Sequence, residues 1–321
     1  MKNIIYGLGD HFWKNLEHLS CILEDTIALC DADKSKAELA ELLSKPSITP
    51  DKIPGLVADE RERIIVYIAT TYFYREVFEM LTEQLGIPSE NIAHLPEPGI
   101  SEYLLSIKRK YFTGSAAGAA EPISATAFDS AVLLPDRQSA LEYMPKNVVA
   151  AEIGVAYGDF SKSILEAMTP RKFYAVDYFS QSDPYVNYFG RDDFIRDNMP
   201  HQKWYEHRFS AEIENGVMEV RQGYSWDRIA EFPDDYFDYA YLDAGHNYYS
   251  VKKDIDALAR KMKDGGYIQF NDYSNGPVLA NYAYGVIGAV NSFINSGEHK
   301  VRYFCLSPSG YHDIVVQVCK K

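Results

Sequence analysis

The sequence predicts an α/β protein of two parts: a mostly parallel seven-stranded sheet that ends in an antiparallel hairpin, preceded by a smaller α/β domain. Three observations predict it. Short apolar runs alternate with segments of helical spacing, the pattern of a parallel sheet. An apolar run, Val148–Ile153, leads through a glycine turn into a helix opened by Asp159. Two apolar runs at the end, Lys300–Leu306 and Asp313–Val318, flank the turn Ser307-Pro308-Ser309-Gly310 and read as a hairpin.

The first part covers residues 1–107. Asn3–Tyr6 is a strand, and Asp10–Leu23 places Phe12, Leu16, Leu19 and Leu23 on one helical face. Thr26–Cys30 is a second strand, ending at Asp31 and Asp33. Ile64–Ala69 is a third, with Thr70-Thr71 opening a helix that runs to Leu85 and stops at Gly86. Ile92–Leu95 is a short last strand. Gly7-Leu8-Gly9 starts a dinucleotide fingerprint, but Phe12 stands where the third glycine belongs. Nicotinamide binding, as in an oxidoreductase or epimerase, is therefore a secondary reading.

Residues 108–127 read as a linker, with Gly114–Pro122 rich in glycine and alanine. The second part, 128–321, opens with Val148–Ile153 and continues with the strand Phe173–Val176, which ends at Asp177. A polar, aromatic stretch from Tyr178 to Gly216 suits a lid or substrate loop. Strands follow at Val217–Gln222, Phe237–Leu242 and Tyr267–Phe270. Helices are predicted over Tyr248–Met262, stopped by Gly265-Gly266, and over Ala283–Ile294.

Spacing separates the ligand of this second part from a dinucleotide. Gly154 and Gly158 form G-x-x-x-G with Glu152 just before them, and Asp177 lies nineteen residues past Gly158. A carboxylate at roughly 4–6 Å from a pyrophosphate charge costs about 3–4 kcal/mol at an effective dielectric near 20. A cationic ligand avoids that penalty, and its carboxylate suits a helix N-terminus. Asp177 suits a ribose diol.

These two motifs resemble the first two motifs of the class I S-adenosylmethionine-dependent methyltransferases. The resemblance implies a Rossmann-like methyltransferase fold, S-adenosyl-L-methionine as cofactor, and a cofactor site of Glu152, Gly154, Tyr157, Gly158, Asp177, Tyr178, Tyr224, Ser225 and Asp243. Tyr224 and Ser225 enter as the adenine contacts that the family places after the third strand. The first part is similar to the short Rossmann-like accessory modules of some polysaccharide methyltransferases.

Leu242-Asp243-Ala244-Gly245-His246-Asn247-Tyr248 resembles an element of the macrocin and cephalosporin-hydroxylase type of O-methyltransferase. In those relatives the aspartate binds magnesium and the histidine is the general base, which implies Asp243 and His246 as catalytic residues. The next strand closes there with an acidic pair; here it closes with Asn271-Asp272. If the strands ending in Asp243 and Asp272 are neighbours, about 4.8 Å apart, their carboxylates converge and need a cation or a proton. Asp243, Asn271 and Asp272 are thus candidate magnesium ligands. An imidazole with its ordinary pKa near 6.5 suits a base at neutral pH.

Composition bounds the partners. With 321 residues and a formal net charge of −14, the chain offers no basic field for nucleic acid or an anionic membrane. The cysteines, Cys21, Cys30, Cys305 and Cys319, share no C-x-x-C spacing. No signal peptide and no apolar run of eighteen residues is evident, so a cytoplasmic location is expected. The expected partner is a small hydroxylated acceptor: a sugar, a nucleotide-linked sugar or a glycosylated natural product. Transfer to nitrogen without a metal, and a homo-oligomer, are both compatible with the sequence.

Overall fold

The computed structural model describes residues 2–58, 63–70, 73–95, 101–179, 199–276 and 283–320. The chain divides into two compact units, Met1–Tyr111 and Phe112–Lys321.

The first unit is a five-stranded parallel sheet. Its strands are β1 (Lys2–Tyr6), β2 (Thr26–Cys30), β3 (Ser47–Ile48), β4 (Ile64–Ile68) and β5 (Ile92–His94), in the order β3-β2-β1-β4-β5. The two-residue β3 is too short to leave a periodic signal. The helix predicted over Asp10–Leu23 is broken into Asp10–Lys14, a tight turn at Leu16–His18, and Ser20–Asp25. Asn15 caps the break: its Nδ2 donates to the His11 carbonyl at 2.8 Å, a local bond that competes with helical pairing. Phe12, at the third-glycine position of the incomplete fingerprint, is fully buried. A bulky core side chain therefore stands where a dinucleotide-binding turn keeps a glycine for close helix–strand packing.

The second unit contains eight strands. These are β6 (Val132–Leu134), β7 (Val149–Ile153), β8 (Lys172–Asp177), β9 (Met218–Gln222), β10 (Phe237–Leu242), β11 (Met262–Phe270), β12 (Lys300–Cys305) and β13 (Asp313–Gln317). They lie in the order β6-β12-β13-β11-β10-β7-β8-β9. Seven match the sequence expectation. The eighth, β6, adds a parallel edge to β12, with Val132 opposite Tyr303. The antiparallel hairpin β12–β13 is attached to β11, where Phe270 faces Ile314. The result is a Rossmann-like, mostly parallel sheet with an antiparallel hairpin toward one edge.

Helices cover both faces. On one side, Ser225–Ala230, Tyr248–Lys261 and Val286–Ser296 press Ile229, Val251, Ile255, Leu258, Val290 and Ile294 onto the sheet. On the other, Arg137–Leu141, Asp159–Met168 and His201–Arg208 contribute Leu141, Phe160, Ile164, Met168 and Tyr205. Each such fully buried aliphatic side chain contributes about 1.5–3 kcal/mol. The helix after β10 starts where Asn247 Oδ1 accepts the Ser250 amide at 3.0 Å, an N-cap. β11 begins at Met262, earlier than the predicted Tyr267. Gly265 and Gly266 pair with Val318 at 2.8 Å each rather than ending the helix in a loop, and an irregular register beside Phe237 absorbs the extra residues.

The strand order reverses between β7 and its two neighbours. β8 lies on one side and β10 on the other. Ligands of open α/β sheets bind at the carboxyl ends of the strands at such a switch point.

Candidate active site

The carboxyl end of β7 builds the first wall. Gly154 takes a φ of +84°, and a Cβ placed there would come within 2.0 Å of the Asp243 carbonyl oxygen. Only glycine lets the β7 turn lie against the end of β10. Gly158 takes a φ of +78°, with the rings of Phe209 and Tyr205 under its Cα. Ala156 between them also sits in the left-handed region, at +43°. A non-glycine held there costs about 1–3 kcal/mol and persists only where the surroundings enforce it.

Asp177 ties this turn to β8. Its Oδ2 accepts the Val155 amide at 2.8 Å, and its Oδ1 accepts the Phe179 amide at 2.6 Å. Each carboxylate oxygen keeps a second lone pair for a ligand hydroxyl. His201, assigned to the lid by the sequence, is buried, and its Nε2 lies 2.6 Å from the Ala156 carbonyl. It belongs to the underside of the turn. Arg208 donates to the Tyr157 carbonyl and, at 2.8 Å, to Asp159. Tyr157 is half-buried, with its ring edge-on to Trp204. The rest of the expected lid, 180–198, lies outside the described residues.

Glu152 is buried beneath the turn rather than presented to the pocket. It is 2 % exposed and accepts the Ser161 hydroxyl, which lies 2.8 Å from the Tyr205 hydroxyl. Burial pushes its pKa well above the ordinary value; the Ser161 bond opposes that shift and the Asp243 charge adds to it. The acid expected to attract a cation is a buried link beneath the turn, bonded to Ser161. Its burial followed from the strand pattern, since all five residues of β7 are buried.

Tyr178 and Tyr224 line the β8–β9 side and are exposed, with rings 5.1 Å apart. Tyr224 stacks on Trp226 at 5.1 Å and an 11° interplanar angle. Ser225 opens the next helix behind them. These residues form an aromatic shelf whose tip is wet and whose faces are apolar.

The chemical groups converge at the ends of β10 and β11. His246 Nε2 lies 3.5 Å from Asp243 Oδ1 and 3.2 Å from Asp272 Oδ2. Burial lowers the imidazole pKa, but hydrogen bonding to Asp243 and Asp272 and their charges outweigh it and raise it to about 9. The ordinary value near 6.5 therefore does not hold, and the resting imidazole is protonated at neutral pH. Tyr284 covers the ring at 4.5 Å. The Gly285 amide, at 2.7 Å, fixes the His246 carbonyl. The sequence missed Tyr284, because nothing in its own helix start marks it as a neighbour of a strand end.

Asn271 departs from the expected ligand set. Its Nδ2 donates to Asp243 Oδ1 at 2.8 Å, while its Oδ1 accepts Arg137 at 3.3 Å. The amide oxygen that was to face magnesium faces a guanidinium. Both carboxylates face His246 Nε2. Among the described residues no three His, Cys, Asp or Glu side chains converge as a metal-binding group. The residues present do not fit the expected ion.

Residues 151–273 match a family model described as a methyltransferase domain. Solved structures with a similar arrangement include a protein of Corynebacterium glutamicum, at 16 % identity and a TM-score of 0.42, covering 58 % of this chain and 83 % of that one. An rRNA methylase of Streptococcus thermophilus has 10 % identity and a TM-score of 0.40, with coverage of 57 % and 94 %. A SAM-dependent methyltransferase of Aquifex aeolicus has 12 % identity and a TM-score of 0.39, with coverage of 62 % and 94 %. No curated protein matches the chain.

Proposed function

We propose that this chain, a S-adenosylmethionine-dependent methyltransferase by its matched domain, methylates a hydroxyl of a small acceptor. The acceptor class is a sugar, a nucleotide-linked sugar or a glycosylated natural product. The observation that carries the reading is His246 held between Asp243 and Asp272, one residue pair away from the β7 turn that Gly154 lets approach Asp243.

The cradle fits the cofactor. Gly154 lets the β7 turn close on Asp243, Asp177 keeps lone pairs for two ribose hydroxyls, and Tyr178 and Tyr224 offer faces beside it. S-adenosylmethionine, once bound, supplies an electrophilic methyl on a sulfonium. Asp243 and Asp272 face Nε2, so the proton they favour sits there and Nδ1 is left as the basic nitrogen. That arrangement of carboxylate and imidazole fixes tautomer and orientation. His246 would lose its proton more readily beside a bound cation, since like charge disfavours the imidazolium. Tyr284 lies on the imidazole, and Tyr311 follows at 6.4 Å. Their flat apolar faces suit a sugar ring. The rest of the catalysis is positioning. The nicotinamide reading has no comparable support, because Phe12 closes its turn. Magnesium takes no part in this reading. Partners outside nucleic acid and membranes, and a cytoplasmic location, are retained as part of the proposal; no helix among the described residues is long and apolar enough to cross a membrane.

The test is a thermal-shift panel of S-adenosylmethionine, S-adenosylhomocysteine, NAD and nucleotide sugars, followed by radiolabelled methyl transfer to hydroxylated acceptors. A shift of several degrees with S-adenosylhomocysteine supports the cofactor. A shift with NAD alone overturns it. Labelled product that survives acid but forms only on amine acceptors overturns hydroxyl transfer.

A further inference from the structure

Arg137 lies upstream of the matched segment, yet hydrogen bonds join it to the site. It opens the helix Arg137–Leu141, whose cap Asp136 accepts the Ser139 amide at 2.7 Å. Its NH1 donates to the Tyr241 hydroxyl at 2.9 Å and to Asn271 Oδ1 at 3.3 Å. The guanidinium lies 5.0 Å over the Phe160 ring. Its backbone carbonyl accepts Gln269 Nε2, which also donates to the buried Asp313 at 2.8 Å. Tyr239 completes the set by donating to Gln269 Oε1 at 2.9 Å.

This network fixes the direction of the Asn271 amide. A guanidinium has donors and no acceptor, so Asn271 must turn its oxygen toward Arg137. Its Nδ2 then points at Asp243, where it donates at 2.8 Å. A divalent cation at the ends of β10 and β11 needs oxygen ligands and carboxylates free of donors. Here an N–H points into that position and a fixed positive charge stands behind it. The same charge faces Asp243 and Asp313; burial works against the guanidinium, but these acids and Tyr241 hold it protonated.

We propose that the Arg137–Asn271 pair closes the Asp243–Asp272 cluster to divalent cations, with Arg137 as the built-in positive charge, so that chemistry at this site runs without a metal. Arg137 is a positioning residue: it acts on Asp243 through Asn271. The consequence for methyl transfer rests on the function proposed above, but the cation claim is read without turnover.

The test titrates manganese(II) into the full-length protein and follows free manganese by electron paramagnetic resonance. Wild type is expected to leave the metal free. Arg137→Gln/Asn271→Asp is expected to gain one site, at least about tenfold tighter, the size of effect that neighbours of metal ligands exert. Asn271→Asp alone is expected to gain less. A single manganese site in wild type that disappears in Asp243→Asn overturns the proposal, whether or not the double variant folds. Equal binding by wild type and the double variant, both retaining S-adenosylhomocysteine affinity by calorimetry, also overturns it. If wild type fails to bind S-adenosylhomocysteine, the cofactor reading falls while the manganese result stands by itself.

Discussion

Replacing Asp254 with asparagine should stabilise the second unit, and by an amount that grows with pH. Asp254 sits on the inner face of the helix Tyr248–Lys261 and has no exposed surface. Burial raises its pKa from 3.8 to about 7, against the weaker pull of Ser225 and Lys253 toward the charged form. The folded-state pKa lies above the unfolded one. Between these values the folded chain keeps a proton that the unfolded chain has released, so stability falls as pH rises across that window. One pKa unit is worth about 1.4 kcal/mol, so roughly three units cost about 4 kcal/mol once both states are ionised. Urea unfolding of wild type and Asp254→Asn at pH 4.5, 6, 7 and 8 checks this. The gap should be small at the lowest pH and approach about 4 kcal/mol at the highest. The other buried acids, Glu152 and Asp313, cancel in the difference because both proteins contain them. A gap that does not change with pH, or an asparagine variant less stable at pH 8, would refute the reasoning.

Three further outcomes follow from the site. Gly154→Ala must bear both the left-handed backbone and an overlap with the Asp243 carbonyl, a loss of about 3 kcal/mol or more; calorimetry should show the melting temperature of the second unit fall by roughly 6–12 °C. Asp177→Ala removes the acceptor of two turn amides, so S-adenosylhomocysteine affinity by calorimetry should drop about 10- to 100-fold, and unchanged affinity would remove Asp177 from the cofactor site. Before cofactor binds, His246 is protonated up to about pH 9, so kcat/KM should rise with pH toward that value and flatten in His246→Ala; a wild-type profile flat from pH 6 to 10 would take the base role away from His246.

Much of the second unit was legible because its signals are local. The strand ending at Ile153, the glycines at 154 and 158, and the acid at 177 each declare a backbone need or a burial. The pairing of Asp243 with Asp272 was legible too, since it needs only that β10 and β11 be neighbours, and Leu242 does face Phe270. What stayed hidden depends on contacts far apart in sequence. Arg137 reaches Asn271 across 134 positions, and no period or spacing marks it. The raised pKa of Glu152 comes from burial, and that of His246 from the carboxylates of Asp243 and Asp272, which composition cannot supply. Asn271 was visible as a departure from the motif it resembles, but the direction of its amide is set by Arg137 on one side and Asp243 on the other.

The two units show why the scaffold by itself does not decide the chemistry. In both, an acid just past or at the end of one strand holds the turn after a neighbouring strand: Asp31 accepts the Leu8 amide at 2.7 Å, and Asp177 accepts the Val155 amide at 2.8 Å. The same elementary device thus serves each sheet at its switch point. In the first unit that acid also takes the Asp33 amide and Lys36, and the turn is backed by the buried rings of Phe12 and Trp13. Its neighbouring strand β4 runs out into Ala69 and Thr70, which carry no titratable group. In the second unit the neighbouring strands end in Asp243 and in Asn271-Asp272, and those ends meet His246. Proton chemistry therefore follows the residues placed after β10 and β11, where a single altered side chain changes what the same fold can hold.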